Sequence, residues 1–154
     1  MEIDIAGRDL VMVKEFRTSP ATLYAAWTDP GELAQWMGPE HVDVPQVEVD
    51  LRVGGAYAIT IRFENGIDYT WGGRYLELLP PRRLSFTVDY YGESSEYDHS
   101  NPTVITVSLD PMPTGTRMIF RQSPFPPAVD RRAHADGWAK SFDKLEDALQ
   151  SVAG

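Results

Sequence analysis

The feature that most constrains this chain is one long amphipathic segment that follows a series of short strands. In residues 128–152 the apolar residues recur with the 3.6-residue period of a helix. They form one stripe, made of Trp138, Phe142, Leu145, Leu149 and Val152. A helix over this segment would be about 37 Å long, at 1.5 Å per residue. Because that length crosses an entire small domain, the pattern predicts that the other elements pack around this helix.

Two short helices are predicted near the start of the chain, after a first strand over residues 10–17. A Ser-Pro pair at 19–20 and an Asp-Pro pair at 29–30 each combine an N-cap residue with a proline at the first helical position. Apolar residues at helical spacing follow both pairs. The sequence therefore predicts two short amphipathic helices directly after the first strand.

The middle of the chain alternates with a period of two, which is typical of half-buried strands. Glycine- and proline-rich turns separate the strands, and the Asn-Gly pair at 65–66 is a strong hairpin signal. Strands that follow one another through short turns pair as an antiparallel meander. The predicted class is α+β: a curved antiparallel sheet of about six to seven strands around the C-terminal helix.

Length and charge narrow the possible functions. The 154 residues show no linker, so one domain is predicted over 1–154, with about 1–8 as an N-terminal extension. A net charge of −9 opposes binding to nucleic acids, whose phosphates need clustered Lys and Arg. The absence of cysteine excludes disulfides and thiolate metal sites. Without a signal peptide or a long apolar run, a cytoplasmic location without membrane insertion is expected.

Several short sequence words, in this order, resemble the START-like (SRPBCC, birch-pollen-allergen fold) superfamily. The words are Ala26-Trp27-Thr28-Asp29-Pro30, Trp36-Met37-Gly38-Pro39, Asp50-Leu51-Arg52-Val53-Gly54-Gly55, Pro80-Pro81-Arg82-Arg83-Leu84, Gly115-Thr116-Arg117 and Gly137-Trp138. Within this superfamily, the words are most similar to the branch named for the activator of the heat-shock-protein-ninety ATPase. The resemblance implies a helix-grip fold, in which the sheet wraps the long helix around an apolar pocket. It supplies no catalytic residues.

The predicted pocket wall is aromatic and apolar, and it comes from neighbouring strands and the long helix. Its candidate residues are Tyr57, Ile59, Tyr69, Trp71, Phe86, His134, Trp138 and Phe142. Alternation shows which strand residues share a face of the sheet, but it does not show which face is inside. The preferred hypothesis is a domain that binds a small hydrophobic or amphipathic molecule, lipids included, without a cofactor.

An enzyme working in the same pocket, such as a cyclase, aromatase or hydrolase, is the first alternative. Its acid–base candidates are Arg62, Asp68, Tyr69, Arg74, Arg121 and His134. For most of them a solvated surface position is the more ordinary interpretation. The three histidines, His41, His99 and His134, lack metal-ligand spacing, so no metal site is predicted.

The second alternative is a protein-interaction domain, including a regulator of a chaperone ATPase in the stress response. Its surface candidates are the acidic segment 93–98 and the arginine pairs at 82–83 and 131–132. The sequence leaves homodimerisation open, because an exposed sheet edge can pair with a second copy.

Overall fold

The period-two and period-3.6 segments of the sequence become strands and helices largely where the patterns predict them. The structure is a computed structural model that describes residues 1–5, 7–38, 41–91, 102–125 and 131–153. The helices are α1 (Pro20–Thr28), α2 (Pro30–Trp36) and α3 (Arg131–Ala153). The strands are β1 (Glu2–Asp4), β2 (Leu10–Phe16), β3 (Asp43–Val49), β4 (Ala56–Arg62), β5 (Asp68–Leu79), β6 (Arg83–Val88), β7 (Tyr90–Tyr91), β8 (Thr103–Met112) and β9 (Gly115–Ser123).

All the strand pairs of the curved sheet are antiparallel. Eight strands follow the order β1-β2-β9-β8-β6-β5-β4-β3, and β7 pairs with β5. The stretch from β3 to β9 is the predicted meander, while β2 pairs with β9 instead of β3. The chain therefore passes from one side of the sheet to its far edge between β2 and β3, and α1 and α2 lie in that crossing.

Strand β5 changes partners part-way along its length, which bends the sheet. Its first half pairs with β4, and its second half pairs with β6 from Tyr75 onward, with a register shift between Tyr75 and Glu77. The chains approach closely here, because a Cβ atom on Gly73 would lie only 2.0 Å from the carbonyl oxygen of Thr87. Such irregularities increase the local twist and curvature of a sheet.

Both predicted helix caps are present. The side chain of Ser19 accepts a hydrogen bond from the amide of Thr22 at 3.2 Å. The side chain of Asp29 accepts one from the amide of Glu32 at 3.0 Å. Each bond satisfies an amide that the first turn of a helix leaves without a partner, which explains why α1 and α2 begin where they do.

Helix α3 packs on the sheet and on the short helices through Phe142. The Phe142 ring is fully buried and lies 5.4 Å from Phe120 of β9 and 6.2 Å from Trp27 of α1, between ring centroids. Burying such a side chain contributes about 2–3 kcal/mol. The helix-grip prediction is thereby confirmed, although its predicted start at residues 128–130 lies outside the described residues.

Two short strands were not predicted. Strand β1 lies within the expected extension 1–8 and pairs with β2, and β7 has only two residues. Neither segment is long enough to show an alternating pattern, so both depend on pairing with a longer neighbour. Within the part of the chain that the structure describes, no helix has the length and apolar character needed to cross a membrane.

Candidate ligand-binding pocket

A pocket of about 240 Å³ lies between the first half of α3 and the end of the sheet at the β4–β5 hairpin. One wall is a single face of α3, with residues at the spacings that bring helical side chains together. This face consists of Ala133, His134, Gly137, Trp138 and Ser141. The strands contribute Ile61, Tyr69, Trp71, Val88 and Gln122, and the connection between β4 and β5 contributes Phe63. Met37 and Gly38, which follow α2, complete the lining.

Four of the eight predicted wall residues meet in this pocket: Tyr69, Trp71, His134 and Trp138. The rings of Trp71 and Trp138 face each other across the sheet–helix boundary, 6.1 Å apart and nearly perpendicular. Tyr69 and Trp138 are half-buried, whereas Trp71 is buried. The structure thus brings two aromatic side chains of β5 against the face of α3 that carries His134 and Trp138.

The other four predicted residues lie behind the pocket. Tyr57, Ile59 and Phe86 surround a void of only about 10 Å³, which is at the lower limit for a single water molecule. Tyr57 and Phe86 fill this region through a perpendicular ring contact at 5.2 Å. Phe142 is part of the solid core. Tyr57, Ile59 and Phe86 share one face of the sheet with Trp71, as alternation predicts, and the structure shows that this face is buried.

Several pocket residues were missed by the sequence analysis, although some had a signal. Ile61 and Val88 continue the same alternation as Ile59 and Phe86 by two residues, toward the pocket. Gly137 interrupts a helical pattern, where glycine is less stable than alanine by about 0.5–1 kcal/mol. A glycine at such a position usually has a packing or functional reason.

The polar end of the pocket is the buried amide of Gln122, which is 2% exposed. Its Oε1 accepts a hydrogen bond from the indole Nε1 of Trp138 at 3.2 Å. Its Nε2 donates to the hydroxyl of Thr103 at 2.9 Å. These two bonds orient the amide and tie Trp138 to β9, so the polar group and the aromatic wall are positioned together.

Side chains of α3 donate hydrogen bonds to the backbone of the segment that follows α2. The carbonyl oxygen of Gly38 accepts from the hydroxyl of Ser141 at 2.9 Å and from the ammonium of Lys144 at 3.1 Å. Gly38 has φ +91°, and a Cβ atom there would lie 2.9 Å from the Val42 side chain. Only glycine can adopt this positive φ and also lie this close to the Val42 side chain. The Ser141 hydroxyl therefore has a structural partner, the carbonyl oxygen of Gly38.

His134 lies at the first turn of α3, where its ring packs on Phe125 at 4.9 Å between centroids. The ring is half-buried, and its Nε2 atom is buried. Together with Tyr69 it is one of two titratable side chains among the described lining residues. No carboxylate, lysine or arginine is found among those lining residues.

The remaining acid–base candidates lie on the surface, away from the pocket. Arg62 and Asp68 form an exposed ion pair at 2.7 Å, in which the hydrogen bond from Arg62 lowers the pKa of Asp68. Arg121 pairs with Asp9 at 2.8 Å on the outer face. Arg74 is exposed and donates to the carbonyl of Gly54 at 3.2 Å. These positions give the arginines and Asp68 structural partners and no access to the pocket.

The sequence analysis also considered a metal site and an acidic surface segment. Across the described residues, no group of three or more His, Cys, Asp or Glu side chains is arranged to hold a metal ion. The acidic segment 93–98 and His99, which belonged to the interaction and metal hypotheses, lie outside the described residues.

Comparison with known proteins decides the family. A family model described as "Activator of Hsp90 ATPase homolog 1-like protein" matches residues 17–150. The chain belongs to this family. The match covers the two short helices, the meander and nearly all of α3, and so it includes every described residue of the pocket. The resemblance seen in the sequence words is therefore confirmed.

Solved structures of bacterial proteins share the fold of this family member over almost its whole length. A protein from Chromobacterium violaceum is 29% identical, with a TM-score of 0.81 over 92% of this chain and 97% of that one. An AHSA1 protein from Silicibacter pomeroyi is 26% identical, with a TM-score of 0.77 over 92% and 97%. A protein from Rhodobacter sphaeroides is 22% identical, with a TM-score of 0.84 over 97% of both chains. No functionally curated protein matches significantly.

Proposed function

We propose that this protein binds a small, largely apolar molecule in the pocket beneath α3. The observation that carries the proposal is the pairing of two aromatic walls, Trp71 and Trp138, with one buried and oriented amide, Gln122. Pockets lined by apolar and aromatic side chains, with a few fixed polar groups, are the usual form of small-molecule sites. Water leaves such walls readily, and the amide orients the ligand.

The pocket volume limits the size of that molecule. About 240 Å³ is slightly below the roughly 300 Å³ at which pockets for drug-sized ligands begin. The pocket mouth includes Phe63, which is 40% exposed, and the exposed residue Ala133. The geometry thus favours a compact ligand and disfavours the enclosure of a long lipid chain.

Native mass spectrometry of gently purified protein is the direct test. We expect a mass excess of a small molecule that disappears when the protein is denatured. A protein that carries no such mass, and that shows no pocket-centred amide shifts in an NMR screen of neutral aromatic fragments, would contradict the proposal.

A pair of neighbouring variants locates the binding site. Ala133→Trp places a large ring at the pocket mouth, whereas Arg132→Trp places the same ring on an exposed neighbour that does not line the pocket. Fragment affinity is expected to fall in the Ala133 variant and to stay unchanged in the Arg132 variant. Equal effects in both variants would place binding elsewhere.

The family description supports regulation of an Hsp90-type ATPase as a second candidate. This candidate predicts a change in the chaperone's ATP hydrolysis rate on addition of the protein. An unchanged rate, together with no complex by size-exclusion chromatography, would remove it. The enzyme hypothesis has less support, because His134 and Tyr69 are the two described lining residues of a type that serves as a general acid or base.

A further inference from the structure

Gly137 has no structural reason to be glycine. Each of the other nine described glycines either has a positive φ or lies so close to a neighbouring atom that a Cβ would contact it. At Gly55 and Gly72, for example, a Cβ atom would lie 2.1 and 2.3 Å from a backbone oxygen. Gly137 has neither property, since nothing lies within 4 Å of its Cβ position and its φ is not positive.

The empty space beside Gly137 is the pocket itself. Gly137 lies in the interior of α3, where glycine weakens the helix, and it lines the cavity next to Trp138. Any larger side chain would extend into the space between α3 and Trp71. The helix therefore carries a locally unfavourable residue whose one visible effect is to keep the pocket open.

The chemistry of the walls restricts the ligand class. A cavity of about 150 Å³ holds benzene, so about 240 Å³ suits a molecule of one or two rings. Because the described lining has no Asp, Glu, Lys or Arg, an ionised group inside would lack a permanently charged partner, which is costly, and His134 is the one described lining side chain that can become a cation. A neutral ring system fits both conditions.

Gln122 supplies the polar contact for such a ring. A side-chain amide has two donor hydrogens and two acceptor lone pairs. The bonds to Trp138 and Thr103 use one acceptor and one donor, which leaves one of each. A hydroxyl or an aromatic N–H on the ligand matches this remaining capacity.

Building on the proposed function, we propose that Gly137 sets the size limit of the pocket for an uncharged one- or two-ring aromatic ligand whose polar group hydrogen-bonds to Gln122. Gly137 is then the specificity-determining residue of α3, and Gln122 orients the ligand. The pocket is expected to bind an ionised derivative of the same ring system, or a long acyl chain, more weakly than the neutral ring.

The test uses 2-naphthol as the probe, with 2-naphthoate and dodecanoate as the charged and long-chain comparisons, in isothermal titration calorimetry. Wild-type protein is expected to bind 2-naphthol at least about tenfold more tightly than either comparison. Gly137→Leu should weaken 2-naphthol binding at least about tenfold, as expected for overpacking a filled site. Gly137→Ala should weaken it less and should raise the melting temperature, because alanine favours the helix.

Two further variants separate a pocket effect from general damage. Lys140→Ala, at an exposed position of the same helix, is expected to leave the affinity unchanged. Gln122→Met should reduce 2-naphthol binding more than it reduces naphthalene binding, because only the naphthol hydroxyl loses a hydrogen-bond partner. Gly137→Ala is expected to retain the fold, which its melting curve checks, and it keeps the test valid should the Leu variant fail to fold.

Several outcomes would overturn the inference. Equal 2-naphthol affinity in wild-type, Gly137→Ala and Gly137→Leu proteins would show that Gly137 does not set the limit. Tighter binding of 2-naphthoate or dodecanoate would refute the ligand class. If a different compound bound to the pocket by NMR while 2-naphthol did not, this inference would fail and the proposed function would stand; the absence of any pocket ligand would contradict both.

Discussion

Gly38 and Gly137 border the same pocket for opposite physical reasons. Gly38 has φ +91° and close neighbours, so any side chain there strains the backbone and collides with Val42. Gly137 has ordinary helical surroundings and free space. Substitution at Gly38 therefore damages the fold, while substitution at Gly137 changes the shape of the cavity.

Tyr75 is the residue whose ionisation most clearly depends on folding. Burial, and secondarily the nearby Tyr24, raises the pKa of the Tyr75 phenol from 10.0 to about 12. The side chain is 3% exposed. The folded state thus prefers the neutral phenol, and the resulting stability is complete below pH 10 and is lost as the pH rises through about 12.

We predict that the free energy of unfolding falls between pH 10 and pH 12, by up to about 2–3 kcal/mol from this group. Urea denaturation at pH 8, 10 and 11.5 measures the change. Tyr75→Phe, which retains the ring and cannot ionise, should lose less stability over the same interval. An identical alkaline loss in wild type and variant would assign the effect to other groups.

Asp29 serves two helices at once, as the C-cap of α1 and the N-cap of α2. Its amide donates to the carbonyl of Ala25 at the end of α1, at 2.8 Å. Its side chain accepts from Glu32 at the start of α2. One exposed residue thereby fixes the corner between the two helices that cross from β2 to β3.

Replacing Asp29 by alanine is expected to lower the free energy of unfolding by about 1 kcal/mol, because the amide of Glu32 loses its acceptor. Equilibrium urea denaturation gives this difference. Asp29→Asn is the matched control, since it keeps a capping oxygen and should retain most of the stability. A loss as large in the Asn variant would mean that charge, and not capping, matters here.

The sequence allowed most elements to be predicted because their signals are local. Caps at Ser19 and Asp29, the turn at 65–66 and the period of α3 depend on residues close together in the chain. The partner of β2 and the short strands β1 and β7 depend on contacts between distant segments. Such contacts leave no trace in a short window of residues.

The pocket was only half predictable for a related reason. Alternation predicts which strand residues share a face, and the structure shows that the face carrying Tyr57, Ile59 and Trp71 is the buried one. How far along the strands the pocket begins is set by the point at which α3 separates from the sheet. Two of the α3 residues that line the pocket, Ala133 and Gly137, are too small to belong to the apolar stripe from which the helix was predicted.

Across the whole molecule, central strands of the sheet have more hydrogen-bonded neighbours than the strands at its ends. Strands β8 and β9 have partners on both sides and contain fully buried residues such as Ile105 and Phe120. The path ends at β1 and β3, each of which has one partner. Local opening is easiest where few buried contacts must break.

Hydrogen–deuterium exchange followed by NMR is expected to show this gradient. Paired amides of β8 and β9 should exchange at least about a hundredfold more slowly than those of β1. The comparison needs no variant, because both sets of amides lie in the same sheet. Similar protection in β1 and β8 would show that the sheet opens as one unit.

The exposed edge at β3 is interrupted. Its pairing with β4 shifts register between Asp43 and Gln46, around Pro45, which has no amide hydrogen. Proline and bulges at an edge hinder the addition of another strand. This edge is therefore a poor surface for continuous sheet extension, and homodimerisation stays a prediction.

All four tryptophans of the chain form one continuous row from α2 to the pocket. Successive ring centroids are 4.7 Å apart from Trp36 to Trp27, 6.2 Å from Trp27 to Trp138 and 6.1 Å from Trp138 to Trp71. Indole chromophores this close exchange excitation energy and couple their electronic transitions. The protein therefore absorbs near-ultraviolet light through a shared set of transitions, and a molecule touching only the last two rings alters the optical signature of the whole row.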